Sequence, residues 1–309
     1  MNISSLLSKV SPGTLRVRYP VFTSKTITFP RSGLVIVRAM GAGGSGAARV
    51  VSTQTGTGGY SACWGMKILR VAAGDTAVIT IGAGSVTPSN GNGLPGGNTS
   101  VTIGGETYTA PGGPGGMYQA IGVPSMPSGP ELPANWDFGA ASVRPGFGSN
   151  IGTGGAGVDI LAQGNNATTS ASVQGSGGGG TGSPSTGPGG GGSLPGGLSA
   201  LGTSGSSAVV AIAFDASQGE WGISFYGGSG GAAAGGIYGH GANGGGGGNG
   251  GTAAVGNGGN GGGGAGAMTN GALGGNGGFG AGGGCGTAYG GGKGGDGYVF
   301  LDFFGDAEV

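Results

Sequence analysis

Residues 294–304 read GGDGYVFLDFF, so a glycine-dense segment passes directly into a run that is apolar except for one aspartate. The second part, residues 298–304, is rich in aromatic side chains, which predicts a β-strand. It is the last such run in the chain and has no partner close by in the sequence. We therefore expect it to pair with an early strand and to close a β-sandwich from which glycine-rich loops emerge.

The early part of the chain contains candidate partners for this strand. Several segments there alternate in polarity or are rich in β-branched residues, which predicts strands. Gly104 and Gly105 separate two of these runs, and two glycines between alternating runs predict a β-hairpin. The predicted strands are residues 26–29, 34–37, 66–71, 77–81, 101–103, 106–109, 208–214 and 221–226.

Glycine accounts for 90 of the 309 residues, about four times its average share. Residues 227–297 contain 39 glycines and no proline. Collagen is excluded because the strict Gly-X-Y period is absent and because all prolines lie within residues 12–195. A flexible linker pairs glycine with serine or charge, whereas residues 227–297 contain one serine and two charged residues. A disordered segment is the alternative that this composition leaves open.

An ordered glycine-rich region has few side chains to bury, so its backbone groups must stabilise it. Polyproline-II helices of glycine have three residues per turn, and without Cβ atoms they can approach closely and hydrogen-bond sideways. Such a bundle excludes proline from its interior and places larger residues three apart. Residues 227–297 fit both conditions, which predicts a bundle of short polyglycine-II helices. The three-residue spacings are Asn249, Thr252, Val255; Asn257, Asn260; Asn276, Phe279; and Lys293, Asp296.

Composition divides the chain into five parts. The segment after the hairpin holds seven prolines and several aromatic residues, which is typical of an ordered insertion and not of a linker. The predicted division is an N-terminal attachment segment (1–25), a β-strand-rich domain (26–110), a Pro/aromatic insertion (111–150), a glycine-rich polyglycine-II-like region (151–297) and a closing β-strand (298–309).

The charges are unevenly distributed although the net charge is zero. Residues 1–74 contain nine Lys or Arg and no acidic residue, whereas residues 75–309 contain two basic and eleven acidic residues. The basic residues are scattered singly and not clustered, which disfavours nucleic-acid binding and favours docking onto a less basic protein. The longest apolar run, residues 208–214, is far shorter than a membrane-spanning helix, so membrane insertion is not expected.

Catalytic and metal-binding motifs are weak. His240 is the only histidine, and Cys63 and Cys285 are far apart in the sequence, so neither a zinc site nor a cysteine nucleophile is favoured. Glu131 and Asp137 leave open a glycosidase-type carboxylate pair, although a loop contact is the preferred interpretation of Asp137. We expect a protein that is not an enzyme and that has no cofactor or metal.

Three sets of residues resemble the glycine-rich domains of bacteriophage tail fibre and tail-tip proteins. Residues 28–44 resemble the opening of such a domain, residues 58–61 and 71–84 its middle strands, and residues 294–301 its closing strand. Residues 227–297 are also similar to the polyglycine-II sandwich of phage adhesins that cap tail fibres. The resemblance covers residues 26–304, but the insertion at 111–147 departs from it.

The resemblance implies a virion component of the phage tail, made in the host cytoplasm, that binds a polysaccharide, pilus or outer-membrane protein on a bacterium. It implies attachment to other tail or baseplate proteins through the N-terminal segment, as a homotrimer or as a single-chain cap. Aromatic side chains suit flat receptor surfaces. The alternatives are a purely structural tail or baseplate component and, more remotely, an ice-binding or cell-wall protein. Candidate receptor-binding residues, each of which could instead pack within a loop, are Tyr118, Trp136, Phe138, Phe147, Tyr238 and His240.

Overall fold

The computed structural model describes residues 16–49, 55–86, 89–119, 128–142, 147–148, 151–152, 257, 264, 273–287 and 290–306. Within these ranges the chain is all-β, with two larger antiparallel sheets and no helix. The predicted all-β class is thus confirmed for the described residues. The strands predicted at 208–214 and 221–226 lie outside them.

The strands of the described ranges fall into two sheets and three short two-stranded ladders. One sheet has five strands in the order β1-β15-β3-β6-β11, and the other has four in the order β2-β7-β8-β9. In chain order they are β1 (Arg16–Val21), β2 (Lys25–Thr28), β3 (Gly33–Met40), β4 (Ala48–Arg49), β5 (Thr55–Gly56), β6 (Trp64–Val71), β7 (Thr76–Thr80), β8 (Thr99–Ile103), β9 (Glu106–Ala110), β10 (Tyr118–Gln119), β11 (Phe138–Ala140), β12 (Phe147–Gly148), β13 (Ile151–Gly152), β14 (Gly286–Thr287) and β15 (Tyr298–Gly305).

The C-terminal strand β15 lies between β1 and β3 and is antiparallel to both. Its ladder with β3 runs from Tyr298 opposite Met40 to Gly305 opposite Gly33. The prediction that the last strand pairs with an early strand is confirmed. Strand β1 was not predicted, because its residues were included in the attachment segment 1–25. Its alternating Arg-Val-Arg-Tyr pattern is the signal that could have found it.

The four-stranded sheet contains the predicted hairpin. Strands β8 and β9 pair antiparallel from Thr99 opposite Ala110 to Ile103 opposite Glu106. Gly104 and Gly105 between them have φ angles of 60° and 83°. Because two-residue hairpin turns of type I′ need positive φ at both central positions, the Gly-Gly pair determines where this hairpin turns.

One apolar cluster contains side chains from both sheets. Val35 and Leu301 from the five-stranded sheet belong to the same cluster as Ile79 and Val101 from the four-stranded sheet. Strand β3 shows the cause, because its alternate residues are buried while those between them are half-buried. The sheets therefore share a core to which the early and the last strands both contribute.

Strands β3, β6, β7, β8, β9 and β15 each continue directly into a glycine-rich segment. In the central segment, residues 41–48, successive backbone N–H groups donate to three different neighbours in rotation, whereas a sheet ladder repeats every two residues. Carbonyl groups of this segment also accept from residues 111–117 and 281–286. The bonds are Gly41–Cys63, Gly44–Tyr60 and Ala47–Thr57 to the first neighbour, Ala42–Gly97, Ser45–Leu94 and Ala48–Gly91 to the second, and Gly43–Gly295 and Gly46–Gly292 to the third, with N···O distances of 2.8–3.1 Å.

The glycines of this segment provide space for neighbouring backbone. A Cβ atom built on Gly44 would overlap the carbonyl oxygen of Pro114, and one on Gly46 would overlap that of Gly284, well inside the 3.0 Å that real Cβ atoms respect. Neither glycine is among the described residues with positive φ. Glycine is therefore needed here for close approach and not for unusual dihedral angles.

The glycine-dependent structure extends over more of the chain than was predicted. Glycine-dependent structure was predicted for residues 151–297, but laterally bonded segments also occur at 41–48, 57–63, 91–97 and 111–117. The last of these contains Pro111 and Pro114, both half-buried, which accept from Cys63 and Tyr60 through their carbonyl groups. Proline is accommodated there because these carbonyl groups supply the lateral bonds and no N–H is required.

Candidate functional site

The glycine-rich segments give the described part of the chain two distinct ends. The base carries the turns at Ser32, Gly74 and Gly104, together with the first and last described residues, Arg16 and Asp306. Asp306 donates its backbone N–H to Ser32 at 2.8 Å, which fixes the chain exit at this end. The opposite end, which we call the distal end, comprises Ala48–Arg49, Thr55–Gly56, Gly91, Tyr118–Gln119 and Gly286–Thr287.

Short ladders hold the distal end together. Strand β4 pairs in parallel with β14, and β5 pairs antiparallel with β10. Ala48 and Gly91 exchange two backbone hydrogen bonds of 2.9 and 3.0 Å. Five described segments of the chain thus meet at the distal end, and backbone hydrogen bonds join them.

Tyr118 is a predicted site residue that the structure places at the distal end. It is half-buried, and its backbone N–H donates to Asn92 Oδ1 at 2.8 Å. The preceding residue, Met117, donates its N–H to Thr57 Oγ1 at 2.8 Å. Two side-chain acceptors from different segments therefore fix the backbone that carries the Tyr118 ring.

Arg49 is a distal-end residue that the sequence analysis missed. Its side chain is buried, and its Cγ lies beside Gly56 together with the Sγ of Cys285. A Cβ on Gly56 would come 2.7 Å from that sulfur and 3.2 Å from the Arg49 Cγ. The available signal is a single arginine three residues after the glycine-rich run at 41–46.

Trp136 lies in the core. It is 7% exposed, its indole N–H donates to the Thr109 carbonyl at 2.9 Å, and its ring lies 5.7 Å from that of Tyr108. Gly65 is opposite the indole, because a Cβ there would overlap the ring. This placement favours the packing role that was the alternative to receptor contact.

Phe138 lies on β11, the edge strand of the five-stranded sheet, and Asp137 directly precedes that strand. Phe138 pairs with Met66 and is 37% exposed. Asp137 forms an ion pair with Lys67 at 2.9 Å and accepts the Ile68 N–H at 2.8 Å. These bonds favour the loop-contact interpretation of Asp137 over a catalytic carboxylate. Phe138 and Tyr118 belong to separate ladders, and Phe138 is not a distal-end residue.

Of the other three predicted site residues, one lies in a described strand. Phe147 lies in β12, opposite Gly152 of β13. Tyr238 and His240 lie outside the described residues. Within the described ranges, no three His, Cys, Asp or Glu side chains come together in a way that could hold a metal ion. The same ranges contain no helix long and apolar enough to cross a membrane.

Cys63 allows a test of the buried junction between sheet and glycine-rich segments. Burial raises the pKa of this thiol from 9.0 to about 11. A folded-state pKa above the unfolded one contributes stability that is present below pH 9 and is lost as the pH rises through 11. We expect a loss of roughly 2–3 kcal/mol of unfolding free energy across this window. Urea titrations at pH 8 and 11 measure this loss. If a Cys63→Ala variant loses as much unfolding free energy between these pH values as the wild type, ionisation of Cys63 is not its cause.

The chain was compared with known proteins. No family model matches it, and no curated protein is significantly similar to it.

Proposed function

We propose that this protein is a phage tail fibre or tail-tip adhesin that binds a bacterial surface receptor during adsorption. The observation that carries the proposal is the polarity of the molecule. The first and last described residues lie at the base, whereas the short ladders that β4 forms with β14 and β5 forms with β10 lie at the distal end. An adhesin needs this arrangement, with attachment at one end and recognition at the other.

The proposal includes a polyglycine-II helix bundle as the part that separates the two ends, together with a β-sandwich closed by the N- and C-terminal strands. The rotation of N–H donors around residues 41–48 supports three residues per turn, and the overlapping Cβ positions support the close spacing. At about 3.1 Å rise per residue, residues 41–48 would hold the described distal end roughly 20 Å from the sheets.

Asparagine side chains support such a bundle at its outer surface. Asn257 Oδ1 accepts the N–H of Asn276, and Asn276 Oδ1 accepts the N–H of Lys293, both at 2.8 Å. Asn98 Oδ1 accepts the N–H of Gly112 at 2.9 Å. Each amide oxygen takes the place of a backbone carbonyl that a further neighbouring segment would supply. The recurrence of asparagine in a glycine-rich sequence thus has a structural explanation. Its side-chain oxygen completes the lateral hydrogen bonds at the edge of the bundle, where no further segment follows.

The base would attach the protein to other tail or baseplate proteins in the virion, as a homotrimer or as a single-chain cap. The distal end, with Tyr118 among its residues, would face the receptor. Trp136 contributes to the fold, and Phe138 lies on a sheet edge nearer the base. Tyr238, His240 and Phe147 keep their place as candidates because no observation bears on their side chains.

Cell binding by tagged proteins tests this orientation. A protein domain fused after Val309 should leave binding of the labelled protein to a panel of bacterial strains unchanged. The same domain inserted between the exposed residues Ser89 and Asn90 should reduce binding at least about tenfold, because it blocks the distal end.

Three controls separate the outcomes. Unlabelled protein must compete for binding, and both fusions must keep the melting temperature of their parent. Equal loss of binding in the two fusions would contradict the orientation. The absence of competable binding to any bacterial strain would overturn the adhesin proposal in favour of a purely structural tail component.

A further inference from the structure

The outward faces of the two sheets differ in chemistry. On the four-stranded sheet, one row across the strands reads Thr26, Val78, Thr102 and Thr107. The hydroxyl groups of Thr102 and Thr107 form a hydrogen bond of 2.8 Å, and none of the four residues in this row is charged. Threonine on alternate positions is the ordinary composition of a sheet face in water. This face therefore serves as the internal reference for a solvated surface.

The outward face of the five-stranded sheet is apolar and cationic near the base. One row across the strands reads Arg16, Phe304, Leu34 and Arg70, and the next reads Arg18, Asp302, Ile36 and Ile68. Leu34, Ile36 and Ile68 lie on the outward face of their strands. Their side chains are nevertheless half-buried and not fully exposed. We call this surface the base patch, formed by Arg16, Arg18, Leu34, Ile36, Ile68 and Arg70.

Other parts of the same face are already covered. Nearer the glycine-rich segments, Phe22 packs against Phe279 and Phe300 with ring centroids 5.2 and 6.0 Å apart. Met40 and Trp64, in the same region, are 1% exposed. The base patch is the continuation of this covered apolar face, and its three aliphatic side chains retain partial exposure.

The charge of this face is positive. Arg16, Arg18, Arg38 and Arg70 lie on it with the carboxylates of Asp302 and Asp306, and four positive and two negative charges leave a net charge of +2. Arg70 and Asp306 form an exposed pair, with 68% and 49% of their side-chain areas accessible. Arginines therefore flank the aliphatic side chains on both sides.

The segment that precedes β1 does not match this surface in charge. Residues 1–15 contain Lys9 and no acidic residue, so their charge does not complement the arginines. A two-fold contact between two base patches would set arginines against arginines.

We propose that the base patch is a docking surface for an amphipathic segment of another protein, one whose apolar side chains are flanked by carboxylates. The apolar residues of that segment cover Leu34, Ile36 and Ile68, and its carboxylates pair with Arg16 and Arg70. That the partner is a neighbouring tail or baseplate protein rests on the proposed function. The chemistry of the patch does not depend on it.

Binding of a defined peptide tests this surface in the full-length protein without bacterial cells. The probe is a short fluorescein-labelled peptide in which leucine and glutamate alternate, and the comparison peptides carry glutamine or lysine in place of glutamate. Fluorescence anisotropy should show the glutamate peptide binding about tenfold or more tightly than the other two. Its affinity should fall as salt is raised, because partly exposed charge pairs are screened.

Two double variants localise the binding. Arg16→Gln with Arg70→Gln should reduce affinity for the glutamate peptide to that of the glutamine peptide. Lys25→Gln with Lys293→Gln removes the same net charge from exposed residues outside the base patch and should have little effect. As a second variant, Ile68→Gln should weaken all three peptides alike. Circular dichroism must show that each variant is folded.

The proposal fails on any of four results. These are no binding of the glutamate peptide, equal binding of the three peptides, an unchanged affinity in the Arg16/Arg70 variant, or an equal loss in the Lys25/Lys293 variant. Light scattering adds one more condition. Self-association that the Arg16/Arg70 variant abolishes would identify a second copy as the occupant and overturn the proposal of a separate acidic partner. Cell binding plays no part in these measurements, so their failure leaves the adhesin proposal standing.

Discussion

Replacing Gly44 with alanine is expected to reduce the free energy of unfolding by more than about 4 kcal/mol, or to prevent folding. The new methyl group would overlap the carbonyl oxygen of Pro114. That oxygen cannot move away independently, because it accepts the N–H of Tyr60 at 2.9 Å. Gly44 itself donates to Tyr60 and accepts from Gly283, so moving the segment would disturb several bonds at once.

A glycine in open space is the matched control for this change. Gly105 has a φ of 83° and no atom within 4 Å of its Cβ position. Alanine there incurs only the left-handed backbone strain of about 1–2 kcal/mol. Urea denaturation of the two variants compares the cost of close approach with the cost of an unusual dihedral angle. A Gly44→Ala variant no less stable than Gly105→Ala would refute the space-filling explanation of this glycine.

The strands could be predicted from sequence because their signals are local. Alternation of buried and outward residues in β3 and the aromatic run of β15 identify strands without knowledge of their partners. The Gly104–Gly105 pair fixes its hairpin because positive φ at both positions is a property of the turn itself. The pairing of β15 with an early strand followed from the absence of a nearby partner.

The laterally bonded segments at 41–48 and 57–63 could not be located in the same way. Their stability comes from backbone bonds between segments far apart in the chain, such as Gly43 to Gly295. Residues 57–63 contain Tyr60 and Cys63 and are no richer in glycine than the chain as a whole. Composition detects where glycine accumulates, but a segment can take part in such bonding with only a few glycines at the points of contact.

The candidate site was predictable only in part. The aromatic residues of the insertion were identified by residue type, and the same property suits both a receptor contact and a core. The sequence offers no means to distinguish Trp136, which packs opposite Gly65, from Tyr118, which lies at the distal end. Their difference arises from the register of β11 on β6 and of β10 on β5, and register depends on the whole fold.

The second large effect is expected at Asp302, on the central part of β15. Its carboxylate is 7% exposed and binds two arginines: Arg18 Nε donates to Oδ1 at 2.6 Å, and Arg38 Nη2 donates to Oδ2. Asparagine at this position would keep the shape but would leave two guanidinium groups close together with no anion between them. Removing one partner of a buried ionic group costs about 3–5 kcal/mol, and we expect about 3 because Arg18 is one-third exposed.

Two further variants separate the charge effect from other causes. Asp306→Asn breaks an exposed pair with Arg70 and should cost less than about 1 kcal/mol. A triple variant, Arg18→Met, Arg38→Met and Asp302→Leu, removes all three charges and should recover most of the stability lost in Asp302→Asn, because no charge is left unpaired. Urea midpoints at neutral pH measure all three variants. If the triple variant is as unstable as Asp302→Asn, the loss does not come from unpaired charges, and the electrostatic explanation is wrong.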